Sequence, residues 1–251
     1  MSDCLDWPQA VVTGETSIRF QFGTGAAVNE ETYQKVSGFS RMVEQDSYYL
    51  LEEVVPSFHT VTVYLKKEPQ DIKEVIQRFL SKWQVVGESE LLQLPERKIT
   101  IPVCYDESYS LDMERVMESS KLSREEVIAL HTHTTYTVYM MGFLPGFPYL
   151  GKLDERLATP RRPTPRFKVE KGTVGIGGHQ TGVYPLDSPG GWNIIGKTPL
   201  DLFRPDREEP FLIQAGDRLE FYPIPILEYQ ELRQEMDKSP EAVQRFIKSG
   251  L

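Results

Sequence analysis

The 251-residue chain is short of the residues that build metal centres and disulfide frameworks. It has two cysteines, Cys4 and Cys104, and four histidines. That excludes a disulfide scaffold and leaves no metal-ligand spacing. Cys104 follows an alternating segment and reads as a small buried hydrophobe. Basic excess is also missing: the formal net charge is −9, which argues against general nucleic-acid binding. No apolar run is long enough for a membrane span. "MSDCLDWPQAVV" lacks a basic region followed by an apolar core, so no signal peptide is expected. These absences point to the cytoplasm. There is no internal repeat and no low-complexity tract.

What is present suits two domains. "SIRFQF" alternates, with Ile18, Phe20 and Phe22 on one face, and predicts a strand. Asn29 is placed to cap a helix carrying Tyr33, Val36, Phe39 and Val43 along one side. "YYLLEEVV" and "TVTVYL" predict two more strands. Asp71 then opens a helix with Ile72, Val75, Ile76, Phe79, Leu80 and Trp83 at helical spacing. The order is βαββα. "KITIPV" either completes a ferredoxin-like βαββαβ sandwich or begins the second domain. The polar stretch "GESELLQLPERK" marks the boundary between an α+β domain, 1–94, and that second domain, 95–251.

In the second domain Ser110 is placed to cap a helix containing Met113, Val116 and Met117. Ser123 and Glu126 form a capping-box pattern for another helix, ending near His131. "TYTVYMM" alternates as a strand. Up to residue 225 short strands and tight turns then predict a barrel or sandwich. The tail "SPEAVQRFIKSG" reads as a short amphipathic helix, with Ser239 as cap and Pro240 in its first position.

Three stretches carry the functional candidates. "GFLPGFPYLGKL" is neither polar like a loop nor free of proline like a core strand. Its glycines permit positive φ and its prolines fix φ, so it specifies one rigid irregular path. Phe147 and Tyr149 on such a path suit the wall of a binding cleft, or equally a buried corner. "ATPRRPTPRFKVEKG" crowds Arg161, Arg162, Arg166, Lys168 and Lys171 onto a proline-stiffened arm in an acidic chain. Guanidinium groups there suit carboxylate or phosphate recognition, or a solvated basic edge. "GIGGHQTGVYPLDSPGGWNIIGKTP" is glycine-rich but lacks the closing lysine-serine/threonine and helix of a phosphate loop. In it Gln180, Tyr184, Ser188 and Trp192 are placed to line a pocket mouth. A Ser188–His179–Asp187 relay has little support, because Ser188 precedes proline where a nucleophile elbow needs glycine. His131 is a further acid–base candidate, whereas His133 suits a helix end.

These stretches, with "VCYDESYSLDMERV" and "LSREEVIALH", resemble the KipI/PxpB family, which also carries the name of the first allophanate hydrolase subunit. "QAGDRLEFYPI" matches the family's PGD.V.F.PI pattern. The resemblance implies an α+β fold: a small α/β sandwich followed by a cyclophilin-like β-barrel with a helical tail. It implies the B subunit of an ATP-dependent 5-oxoprolinase, opening 5-oxo-L-proline to L-glutamate. The implied partners are an A subunit of LamB/YcsF type and a KipA-like C subunit. ATP with Mg is then expected at the level of the complex, with no cofactor and no metal in this chain alone. Opening the lactam by phosphorylating its amide oxygen needs cations at the phosphoryl group and donors at the oxyanion. Arg161, Arg166 and Lys168 would supply the first; Gln180 and the "SPGGW" backbone would supply part of the second. The family's other function is inhibition of sensor histidine kinase autophosphorylation. A prolyl isomerase reading rests on fold analogy alone. Glu170-Lys171 and Gly178-His179 depart from the family's usual Pro-Ala and Ala-Gly-X, which weakens the case for His179. The resemblance transfers no catalytic residue.

Overall fold

A computed structural model describes residues 8–23, 30–91, 97–151 and 153–249, the side chains of 86–91 and 249 excepted. Cys4, the cap expected at Asn29, and 92–96 within the boundary segment lie outside the described residues. The chain divides into two compact units, Met1–Leu94 and Pro95–Leu251.

In the first unit the strands are β1 (Gln9–Gly14), β2 (Ser17–Gln21), β3 (Leu51–Pro56) and β4 (Thr60–Leu65). They form an antiparallel sheet in the order β1-β2-β4-β3. Helices α1 (Glu30–Glu44) and α2 (Ile72–Leu91) complete the unit. The Asp71 carboxylate accepts the Lys73 N–H at 2.8 Å and so caps α2 as its position predicts. Inward residues of β2 and β4 meet both helices around Phe39, whose ring centroid lies 4.7 Å from Phe20 and 5.5 Å from Trp83. Each such buried aromatic contributes on the order of 2 kcal/mol by leaving water. Periodicity does not reveal β1. Val11 and Val12 are exposed on this edge strand, so it shows no inward alternation.

In the second unit β5 (Arg97–Val103) is followed by α3 (Met113–Ser120), α4 (Arg124–His133), β6 (Thr135–Met141) and β7 (Pro148–Leu150). Then come β8 (Arg166–Val169), β9 (Thr173–Gly177), β10 (Gln180–Val183), β11 (Ser188–Gly190) and β12 (Asn193–Lys197). The chain ends with β13 (Arg218–Pro223), α5 (Ile226–Lys238), a 3₁₀ segment (Pro240–Phe246) and β14 (Ile247–Ser249). Eight strands form one sheet in the order β12-β9-β10-β7-β6-β13-β5-β14, and β8 pairs with β11 as a separate ribbon. "KITIPV" therefore belongs to this unit, parallel to β13, with Arg97 and Asp217 joined at 2.9 Å.

The architecture is mixed α and β with a large sheet. The closed barrel expected here does not form as a ladder among the described residues, because β14 takes the free side of the first half of β5. The sheet instead curls until the end of β5 meets β12 at one bridge. There Cys104 N–H donates to Lys197 O at 2.8 Å, and Lys197 N–H to Cys104 O at 3.0 Å. Cys104 is a buried free thiol. The Ser123–Glu126 capping box forms. Ser110 does not cap α3: its hydroxyl donates to Asp106 O at 2.9 Å, and Asp112 holds the cap position. Ser239 gives no side-chain cap to the tail, which is 3₁₀ rather than α. Among the described residues no helix is long and apolar enough to cross a membrane.

Candidate functional site

The aromatic-proline stretch connects β6 to β7. Leu144–Phe147 forms a tight turn closed by Phe147 N–H to Leu144 O at 3.0 Å, with Pro145 second and Gly146 third at φ +80°. That is the pattern in which proline sets one φ and glycine supplies the positive one. The turn drives Phe147 inward, where its ring lies 5.5 Å from both Tyr184 and Trp192 and 5.2 Å from Tyr149. Phe147, Tyr184 and Trp192 are buried with Val169 and Ile194 in a small second core. The expected cleft wall is thus packed ring on ring. Tyr149 is half-buried, and at the rim Phe143, at φ +65°, is 65 % exposed.

The glycine-rich stretch builds a bed for Trp192. A Cβ on Gly177 would lie 2.5 Å from the indole, and one on Gly182 would lie 3.0 Å from it. These glycines exist for close approach of a side chain, so they do not form a phosphate cradle.

The arginine arm is tied down by Asp112, which lies within "VCYDESYSLDMERV" but is not among the residues expected at the site. The buried Asp112 carboxylate accepts from Arg162 Nη1 at 2.7 Å and from Arg166 Nη1 and Nη2 at 2.8 and 2.9 Å. It also accepts the Ile194 N–H at 2.8 Å, while Asp112 N–H donates to Ile194 O at 2.8 Å. Burial pushes this carboxyl up, but the Arg166 and Ile194 hydrogen bonds and both guanidinium charges outweigh it and hold the carboxyl below its ordinary value. Arg166, expected to face a phosphoryl group, instead makes a bidentate pair inside the chain. Lys168 pairs with Asp187 at 2.8 Å. Arg161 stays exposed with its guanidinium 5.8 Å from the Trp192 ring. Arg162 and Arg166 on the arm, and the glycines under Trp192, are thus engaged within the chain.

The remaining candidates disperse. Ser188 is buried on β11, its hydroxyl donating to Pro189 O at 3.2 Å, and Asp187 accepts the Lys171 N–H at 2.8 Å. With His179 exposed, no relay is assembled. Gln180 is half-buried beside the Gly178 turn. His131 lies in the main core, stacked on Phe221 at 4.6 Å. Thr181 Oγ1 donates to Gly175 O at 3.1 Å, so it accepts from His131 Nε2 at 2.8 Å. His131 Nδ1 then accepts the Tyr105 hydroxyl at 2.7 Å. Burial pushes the imidazole down to about 3, so it is neutral at physiological pH. The acid–base role expected for His131 gives way to a structural one.

The chain is similar to proteins of assigned activity. The family described as "Carboxyltransferase domain, subdomain C and D" matches residues 8–213. The B subunit of 5-oxoprolinase from Bacillus subtilis (strain 168) is 38 % identical over 231 residues, 88 % of this chain and 95 % of that protein. The protein of the same name from Escherichia coli O157:H7 is 46 % identical over 171 residues, 68 % of this chain and 77 % of that protein. Among solved structures, TTHA0988 matches with a TM-score of 0.69 at 33 % identity over 83 % of this chain; the match spans 39 % of the longer TTHA0988 chain.

Proposed function

The chain belongs to the carboxyltransferase subdomain C and D family, and from that membership we propose that it is the B subunit of an ATP-dependent 5-oxoprolinase. The observation that carries the reading is the near full-length match to a curated protein of that name. It favours lactam opening over the kinase-inhibitor reading. In this proposal the chain is a non-autonomous cytoplasmic component, and 5-oxo-L-proline is converted to L-glutamate by a complex with a LamB/YcsF-type A subunit and a KipA-like C subunit. Its second unit is read as a cyclophilin-like variant, supported by the curl of its sheet to the Cys104–Lys197 bridge.

ATP and Mg belong to the complex in this reading. Arg162 and Arg166 are both held by the one Asp112 carboxylate, so in this reading the chain contributes a rigid surface more than a phosphate site. Phe143 and Arg161 are its exposed features beside the aromatic core, and we assign them to the face that meets a partner or substrate.

The test is ATP-dependent conversion of 5-oxoproline to glutamate by this chain with candidate A and C subunits, each omitted in turn. Turnover that requires all three is the expected result. Turnover by this chain alone would refute the non-autonomous role; full turnover without it would remove it from the enzyme.

A further inference from the structure

A cavity of about 350 Å³ opens in the second unit between the turn before β9, the segment after β12 and helix α5. Its volume lies in the range of small-molecule sites, at the lower end. Four cationic and four anionic side chains line it. At its floor Asp201, 5 % exposed, accepts from Arg233 at 3.0 and 3.1 Å and pairs with Lys171 at 3.1 Å. Burial pushes the Asp201 carboxyl up, but Arg233 and Lys171 outweigh it and keep the group ionised. The floor is therefore fixed before any ligand arrives.

The rim is different. Lys197 pairs with Glu170, and Lys168 with Asp187. Glu170 is 65 % and Asp187 48 % exposed, so these bridges are cheap to open. Lys197 is only 18 % exposed, and a carboxylate brought to it would exchange for Glu170 in a partly desolvated place. A lone anion would break one rim pair and take from Glu170 the ammonium it is hydrogen-bonded to, leaving only the weaker influence of Lys168. A molecule carrying both charges avoids that loss. Its carboxylate takes Lys197, its ammonium takes Glu170, and one bridge becomes two.

We propose that this cavity is a binding site for a small α-amino-acid zwitterion, which inserts between Lys197 and Glu170. Tyr229 and Leu200 supply the less polar wall. The balanced lining selects against phosphate and against simple dicarboxylates, which bring no cation. L-glutamate is also the product in the proposed reaction, and the Lys197 and Glu170 variants tie its binding to this cavity rather than to a product site elsewhere.

Isothermal titration of the purified full-length chain with L-glutamate, glutarate and inorganic phosphate tests it. L-glutamate should give saturable binding, with glutarate and phosphate at least about tenfold weaker, equivalent to about 1.4 kcal/mol. Lys197→Gln should weaken L-glutamate at least about tenfold. Glu170→Gln should reverse the preference, strengthening glutarate while weakening L-glutamate, a change of sign that mere loss of fold cannot produce. Absence of saturable L-glutamate binding to the unmodified chain overturns the proposal. So does equal affinity for glutarate, or a Glu170→Gln variant whose preference is unchanged. Because no partner subunit or ATP is present, failure here is separable from failure of the turnover assay.

Discussion

The Phe147–Asp112 region and the Lys197–Asp201 cavity use the same kinds of residue in opposite ways. In the first, aromatic rings, arginines and a carboxylate are packed and paired with partners inside the chain. In the second, a set balanced between cations and carboxylates keeps its rim carboxylates in water, within reach of exchange. Residue type alone marks the first region as a site. Solvation marks the second. A bidentate buried pair fixes the arm's position, whereas an exposed bridge leaves a ligand something to replace.

Substitutions break or sharpen this contrast in a definite order. Phe147→Ala removes the ring shared by Tyr149, Tyr184 and Trp192, and should cost about 4 kcal/mol in chemical denaturation. A loss below about 1 kcal/mol would mean that the cluster is loosely packed. Asp112→Ala leaves Arg162 and Arg166 without their shared carboxylate. Because those arginines are 31 % and 23 % exposed, the expected loss is about 3 kcal/mol, at the lower end for a broken buried pair.

His131 adds a pH dependence. Its folded value of about 3 lies below the ordinary 6.5, so between the two the unfolded chain binds a proton that the folded chain does not. Stability therefore falls as pH drops below about 6.5, by up to about 1.4 kcal/mol per pH unit. Denaturation midpoints measured from pH 7 to 5 should show this slope, and His131→Gln should flatten it. At the bottom of the order, Asp187→Ala at the cavity rim removes an exposed bridge and an exposed backbone hydrogen bond, and should cost no more than about 1 kcal/mol in thermal denaturation. A larger loss there would show that the rim is structural and not exchangeable.

Local signals are legible in the sequence. The Ser123–Glu126 box and the Asp71 cap lie within a few residues of what they bind. Helix α5 carries a weaker signal of the same kind: Ile226, Tyr229, Leu232 and Met236 recur at helical spacing, but charged residues crowd between them and mask it. Asp112 is hidden for a different reason. A carboxylate before a helix looks like a cap, and its real partners lie 50 and 54 residues away. The short closure of the sheet has the same origin: among the described residues β14 covers the first half of β5, which leaves only the Cys104–Lys197 bridge to join β5 to β12. The glycine-rich stretch lacks the closing residues of a phosphate loop, but what its glycines are for stays hidden, because sequence records the absence of a side chain and not what fills the space.

The parallel pairing of β5 with β13 also sets an order of assembly during synthesis. Arg97 and Asp217, which pin the start of this ladder, are 120 residues apart. At about 5–20 residues per second, β5 leaves the ribosome about 6–24 s before its main partner exists. Its other neighbour, β14, is made later still. The first unit, complete within its own sequence, can settle while β5 waits with both edges unpaired. The nascent chain is then most exposed to edge-to-edge association in the interval between these two events.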